Sequence, residues 1–300
     1  MTAPLVDAVP VLVVGEALVD LLRVGDDVRR IPGGSPANVA LGLGRLGVPT
    51  ALLSHLAADD DGRLIESRLA QSGVRILPDS FSAARTSTAT ARVDARGDAA
   101  YEFDIAWEIS RIPELDGYGA VHVGSYSAFV TPGADRVLEL ATRASAAGHQ
   151  VSLDPNIRPQ LLPPLRWAVA RFEALAGQAN LVKLSDDDAA WLYPDVDPDA
   201  VLSRLLELGA GLAVLTKGSE GSLLAGRGGR AVVASRSVPV VDTVGAGDTY
   251  MAALIACCLD VDLAGLDATE LERIGEFCAR AAGVTVSRAG ADLPWRAELG

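Results

Sequence analysis

The segment Asp242-Thr243-Val244-Gly245-Ala246-Gly247-Asp248-Thr249 runs straight into an apolar stretch from 250 to 259. Two glycines and a carboxylate therefore stand at the head of a buried helix. Amides of Gly245, Ala246, Gly247 and Asp248 there lack intrahelical acceptors, and the helix dipole adds partial positive charge, so the turn suits an anion. Asp248 puts a base in the same turn. Phosphoryl transfer needs that combination, one group taking a proton while others hold phosphate. The plainer alternative is a Gly-rich turn with Asp248 as an ordinary N-cap.

Other segments offer matching chemistry. In Gly33-Gly34-Ser35-Pro36-Ala37-Asn38 the paired glycines admit a ligand to the backbone, and Asn38 can donate to and accept from hydroxyls. Glu16-Ala17-Leu18-Val19-Asp20 leaves the first strand with an acid at its C-terminal end, where open α/β sheets bind ligands. A carboxylate accepting from vicinal hydroxyls is a sugar-binding device; the alternatives are a solvated loop acid for Asp20 and a helix cap for Asn38. In Asp154-Pro155-Asn156-Ile157-Arg158, the guanidinium can clamp phosphate with two donors. Lys183-Leu184-Ser185-Asp186-Asp187-Asp188 carries acids that either cap a helix or hold water-bound Mg²⁺. Thr216-Lys217-Gly218-Ser219-Glu220-Gly221 reads as a nucleotide-phosphate loop or a hairpin turn. Each segment follows a strand, so all are expected on one edge of a sheet.

Gly42-Leu43-Gly44-Arg45-Leu46-Gly47 has the spacing of a dinucleotide fingerprint in the wrong place. The fingerprint must open a helix, whereas here Pro36 and Ala37 open it and Gly47 ends it. Gly42 and Gly44 read as close-packing positions and Gly47 as the residue after the C-cap. No Walker A sequence is present.

Short apolar strands alternating with helical stretches position these groups, the pattern of a mostly parallel sheet covered on both faces. Strands are expected at 11–14, 51–54, 74–77, 120–123, 150–153, 181–183, 211–216 and 222–225. Helices are expected at 37–46, 62–72, 135–147, 165–176, 186–192, 199–208, 250–259 and 271–286. Two alternating segments within 86–107, joined by the turn 94–98, read as a β-hairpin. With 18–31, whose Gly25-Asp26-Asp27 reads as a turn, it is expected to form a small sheet acting as lid, dimer surface or both.

The chain has 300 residues, enough for one large α/β domain, and 49% of them are apolar. Its net charge of −13 argues against nucleic-acid and anionic-membrane partners. Cys257, Cys258 and Cys278 lack metal-type spacing and read as core filler. With no basic leader and no apolar run of membrane-spanning length, a cytoplasmic location is expected.

Together GEALVD, GGSPANVALGLGRLG, DPNIRP, KLSDDD, TKGSEG, DTVGAGD and VSRAGADLP resemble the ribokinase-like (PfkB-type) carbohydrate kinases, most of all bacterial fructokinases. The resemblance spans nearly the whole chain. It implies a three-layer αβα fold over 1–300, with a β-sheet lid from about 18–31 and 86–107 that is often also a dimer contact. It implies Asp248 as catalytic base, Gly245, Ala246 and Gly247 as anion hole, and Arg158 near the transferred phosphate. Asp20, Gly33, Gly34, Asn38 and Asn156, with Tyr101 and Phe103 of the lid, would hold the sugar. Lys183, Ser185, Thr216, Gly218, Ser219 and Gly221 would surround ATP, with Cys278 and Ala279 beside the adenine. Mg²⁺ would answer to Asp188, although the family's Asn-x-x-Glu motif is here Ser185-Asp186-Asp187-Asp188. A potassium ion would lie against Asp242 and main-chain carbonyls near Val244 and Arg288. The implied activity is ATP-dependent phosphorylation of a primary hydroxyl on a neutral sugar, with D-fructose foremost. A 2-keto-3-deoxygluconate kinase, a nucleoside kinase and a non-catalytic sugar- or nucleotide-binding regulator are the alternatives.

Overall fold

The structure is a computed structural model that describes residues 9–24, 27–93 and 99–300. The described strands, in chain order, are β1 (Val11–Val14), β2 (Leu18–Val24), β3 (Asp27–Gly33), β4 (Thr50–Leu53), β5 (Val74–Ile76), β6 (Thr88–Val93), β7 (Ala99–Asp104), β8 (Ala120–Gly124), β9 (Gln150–Asp154), β10 (Leu181–Ser185), β11 (Leu212–Thr216), β12 (Ser222–Gly226) and β13 (Arg230–Val233). The helices are α1 (Ser35–Arg45), α2 (Asp60–Ala70), α3 (Gly133–Ala146), α4 (Leu165–Ala176), α5 (Asp186–Leu192), α6 (Pro198–Leu208), α7 (Ala246–Cys258) and α8 (Ala268–Val286).

Nine strands form the main sheet in the order β13-β12-β11-β10-β9-β8-β1-β4-β5. From β11 to β5 every pairing is parallel, while β12 and β13 run antiparallel at one edge. Alternation in β1 shows why both faces need helices. Val11 and Val13 pack in the core under α1, α2, α7 and α8, and Leu12 and Val14 in the core over α3, α4 and α6. All four are fully buried, and burying each such side chain contributes about 1.5–3 kcal/mol. The three-layer αβα architecture follows. Strand β13, only four residues long with exposed Val232, was not foreseen from sequence.

Helix α7 is apolar nearly all round and lies between α1 and α8, its residues from Asp248 to Ile255 buried. Its approach to α1 explains Gly42, where a Cβ would stand 2.7 Å from Ala252 Cβ. The false fingerprint is a packing contact, and Gly47, at φ +85°, follows the helix end as expected.

The second sheet, β3-β2-β6-β7, is the small sheet expected from sequence to act as a lid. Two antiparallel hairpins are joined by parallel pairing of β2 with β6. Turn residues 25–26 and 94–98 lie outside the described residues. The lid's root is pinned by Asp59, the N-cap of α2, which accepts from Thr86 N, Thr86 Oγ1 and Gly62 N. On the other side, Gly33 ends β3 and Gly34 caps α1 with nothing between. Asp20 stands within β2, opposite Ile31, as the small sheet expected over 18–31 has it, and not at the C-terminal end of β1. Among the described residues, no helix is long and apolar enough to cross a membrane.

Candidate active site

The C-terminal ends of the parallel strands converge on the head of α7. Gly245 takes a left-handed conformation at φ +80° as the N-cap, which seats Asp248 in the first turn. Ala246 N already donates to Thr243 O, and Thr249 N to Gly245 O. Of the four amides read from sequence, Gly245, Gly247 and Asp248 have no backbone partner among the described residues, so Ala246 alone drops out of the anion-binding set.

Asp248 is buried, and both its oxygens accept from α1: Ser35 Oγ donates to Oδ1 at 2.7 Å and Asn38 Nδ2 to Oδ2 at 2.8 Å. Burial raises its carboxyl above the ordinary value, while Ser35, Asn38, Lys183 and Arg158 pull the other way. Ser35 was missed at the sequence level; its place one residue after the glycine pair and before Pro36 was the available signal.

Arg158 extends from the loop after β9, bracing its guanidinium on the Ile157 carbonyl at 2.9 Å. Its charge is felt by both Asp20 and Asp248. Asp20 keeps solvent access in the angle between lid and body, yet the surrounding protein raises its carboxyl to about 6, against the pull of Arg158. Gly33 makes room for it: a Cβ there would stand 2.3 Å from Asp20 Oδ2. Gly34 needs φ +99° and passes against the Glu16 carbonyl. Asn156 adopts φ +36° two residues before Arg158. Phe103 is half-buried at the lid and packs against the core, while the Tyr101 side chain lies outside the described residues.

Further along the edge, Ser185 and Thr216 are register partners at the ends of β10 and β11. Beyond them Gly218 and Gly221 take φ +50° and +97°, and the Ser219 carbonyl accepts from Ser235 Oγ. These residues form an open turn of the β11–β12 hairpin, compatible with either reading of that loop. Cys278 is fully buried in the core, and Ala279 is buried beside it on α8. Lys183 is buried and paired with Asp154 across 2.9 Å.

The acids differ in commitment. Asp188 completes a capping box with Ser185, and its oxygens accept from Ile157 N at 2.7 Å and Ser185 N at 2.9 Å. Asp186 and Asp187, beside it, are exposed. Asp242 accepts from Val244 N at 3.0 Å and Gly290 N at 2.8 Å, so it ties the loop before α7 to the loop after α8. Those amides hold its carboxyl below the ordinary value. Val244 is exposed, and Arg288 pairs with Glu298. Among the described residues, no group of three or more His, Cys, Asp or Glu side chains is arranged to hold a metal ion.

A buried carboxylate at an anion-binding helix head, at the C-terminal edge of an α/β sheet beneath a lid, defines a phosphotransferase-type site. Residues 10–298 match the model of the pfkB family carbohydrate kinases, and the chain belongs to that family. It is similar to a fructokinase of Rhizobium leguminosarum bv. trifolii, 35% identical over 82% of this chain and 78% of that one. A fructokinase of Escherichia coli is 30% identical over 96% of this chain and 97% of its own. A Xylella fastidiosa fructokinase solved with bound ATP superposes with a TM-score of 0.84 at 25% identity, covering 97% of this chain and 96% of that one. The protein is thus an ATP-dependent sugar kinase by family and fold.

Proposed function

We propose that this kinase transfers the γ-phosphate of ATP to the primary hydroxyl of a neutral sugar, D-fructose, giving fructose 6-phosphate. The observation that carries the reading is Asp248, a buried carboxylate held between Ser35 and Asn38 in a turn whose Gly245, Gly247 and Asp248 amides have no backbone partner among the described residues. The fructokinase relatives support the choice of sugar.

Asp20, Asn38 and the Gly33-Gly34 backbone orient the sugar hydroxyls, and the lid excludes water above them. Asp248 accepts the proton of the attacking hydroxyl. Its raised proton affinity suits a base better than that of an ordinary solvated aspartate. The sugar oxygen bonds to the γ-phosphorus as the bond to the ADP oxygen breaks, and the Gly247 and Asp248 amides with Arg158 face the charge on the transferred group. Ser185, Thr216, Gly218, Ser219, Gly221 and Ala279 lie on the nucleotide side.

Mg²⁺ brought with ATP supplies charge neutralisation on the phosphates. Asp188 is buried, and its neighbours Asp186 and Asp187 are exposed, so those two are the carboxylates that fit the ion's waters. Asp242, kept ionised by its two amide donors, fits a monovalent cation between the two loops it ties.

A panel of sugars assayed with ATP and coupled ADP detection tests the proposal. Turnover highest on fructose is expected; no turnover on any sugar by the folded protein would overturn it.

A further inference from the structure

A lysine buried in a protein core is unfavourable unless counter-charges face it. Lys183 and Asp154 are buried together, with side chains 4% and 2% exposed and Nζ 2.9 Å from Oδ2, the lysine in the middle of β10 and the aspartate at the end of adjacent β9. The other side of the ammonium meets α7. A Cβ on Gly247 would stand 3.3 Å from Nζ, so the bare glycine lets the charge come close beneath the first turn. Burial works against that charge, but Asp154, Asp188 and Asp248 all face it, and the lysine holds its proton more firmly than usual.

We propose that Lys183 is a positioning residue for phosphoryl transfer: anchored by Asp154 under the first turn of α7, its fixed charge lets the Asp248 carboxylate and an arriving phosphoryl group share one helix end. The inference rests on the reading of Asp248 as base. It gives Lys183 a place different from the nucleotide contact implied by family resemblance, since the ammonium acts from behind the anion-binding amides. Arginine is no substitute, because a planar fork of five donors does not fit where a compact ammonium abuts Gly247.

The charged and polar groups facing Asp248 are Ser35 and Asn38 from α1, Lys183 from β10 and Arg158 from the loop after β9. Asp154 of β9 also feels the Asp248 charge, and Asp188 of α5 faces the shared ammonium. Removing the cation must therefore raise the proton affinity of Asp248. A purely packing role for Lys183 predicts no such change.

The test is a carbon-13 NMR titration of the Asp248 carboxyl in ligand-free protein, its signal assigned with Asp248→Asn. For Lys183→Met the midpoint is expected to rise by about one pH unit or more. For Lys183→Gln, which keeps most of the side chain's reach without its charge, the midpoint is expected to rise as well. In Lys183→Met, kcat should drop more than KM for the sugar rises. An Asp248 midpoint that is unmoved, or moved the opposite way, in either folded variant overturns the proposal. If Lys183→Met does not fold, Lys183→Gln decides alone. A wild type inactive on every sugar sinks the base assignment instead and leaves the titration readable, so the two failures are distinct.

Discussion

Asn38 Nδ2 donates to Asp248 Oδ2 across 2.8 Å, joining a residue expected to hold the sugar to the residue expected to take its proton. Ser35 repeats the arrangement on the other oxygen. The base is thus oriented by α1, the helix that follows the sugar-side glycines, and these two bonds oppose the burial that disfavours its charge. A hydroxyl arriving between Asn38 and Asp248 finds a donor on one side and an acceptor on the other.

Asp248→Asn keeps the shape of the side chain and removes the base. General-base catalysis is worth about 10²–10⁴-fold, so kcat should fall by that factor while KM for ATP changes little. Steady-state kinetics alongside a thermal melt check it. Near-normal turnover from a folded variant would place the base elsewhere.

Glu16 predicts a pH-dependent stability. It is buried, accepts weakly from Ser127 N at 3.4 Å, and burial raises its carboxyl from 4.5 to about 7 against the Ser125 and Ser127 contacts. A carboxyl raised on folding contributes stability that is complete below its unfolded value of 4.5 and is lost as pH climbs through about 7. Full ionisation costs about 3 kcal/mol. Glu16→Gln cannot ionise, so its stability relative to wild type should improve steadily from pH 4.5 to 8. Urea denaturation of both proteins across that range measures the slope. A constant difference between them would refute it.

Potassium is expected to activate the enzyme by ordering the loop that leads into α7. Asp242 ties residue 244 to residue 290, and a cation lodged there would hold the carbonyls of both loops. Rates in tetramethylammonium buffer, with and without potassium, decide the matter. Equal rates would leave Asp242 as a tie between two loops and nothing more.

Charge should also select the sugar. Arg85 pairs with Asp104, so that lid acid is neutralised and the charge argument falls on Asp20 and Asp248. Two like charges at ~4 Å cost about 1 kcal/mol in water and about 4 kcal/mol at an effective dielectric near 20. Exposed Asp20 belongs nearer the lower figure and buried Asp248 nearer the higher. The value of kcat/KM for fructose should exceed that for fructose 6-phosphate and 2-keto-3-deoxygluconate by at least roughly tenfold, the ratio given by 1.4 kcal/mol. Equal or better use of either anion would discard the neutral-sugar reading and leave the phosphoryl chemistry intact.

Local pattern carried much of the fold. The expected bounds 11–14, 165–176 and 186–192 coincide with β1, α4 and α5. Buried parallel strands read as short apolar runs, and capping residues fix where helices begin. What stayed hidden depends on contacts far apart in the chain. Ser35 and Asp248 are separated by 213 positions, and nothing near either residue announces the bond. The Lys183–Asp154 pair is equally silent, because a lysine in a strand ordinarily reaches for solvent. Asp20 carried two readings, an acid at the end of β1 and a member of the small sheet over 18–31; β2 follows β1 so closely that the local pattern alone does not choose between them.

The junction of Gly33 and Gly34 is a joint with no free length. Because β2 and β6 are hydrogen-bonded, the two hairpins form one plate, and β3 of that plate leads through Gly33 and Gly34 straight into the first turn of α1. That turn carries both side chains that grip Asp248. On the proposed reading of Asp248 as base, sensing the sugar and arming the base are two ends of one short lever, and a longer linker at this spot is expected to uncouple them even with every reacting group still in place.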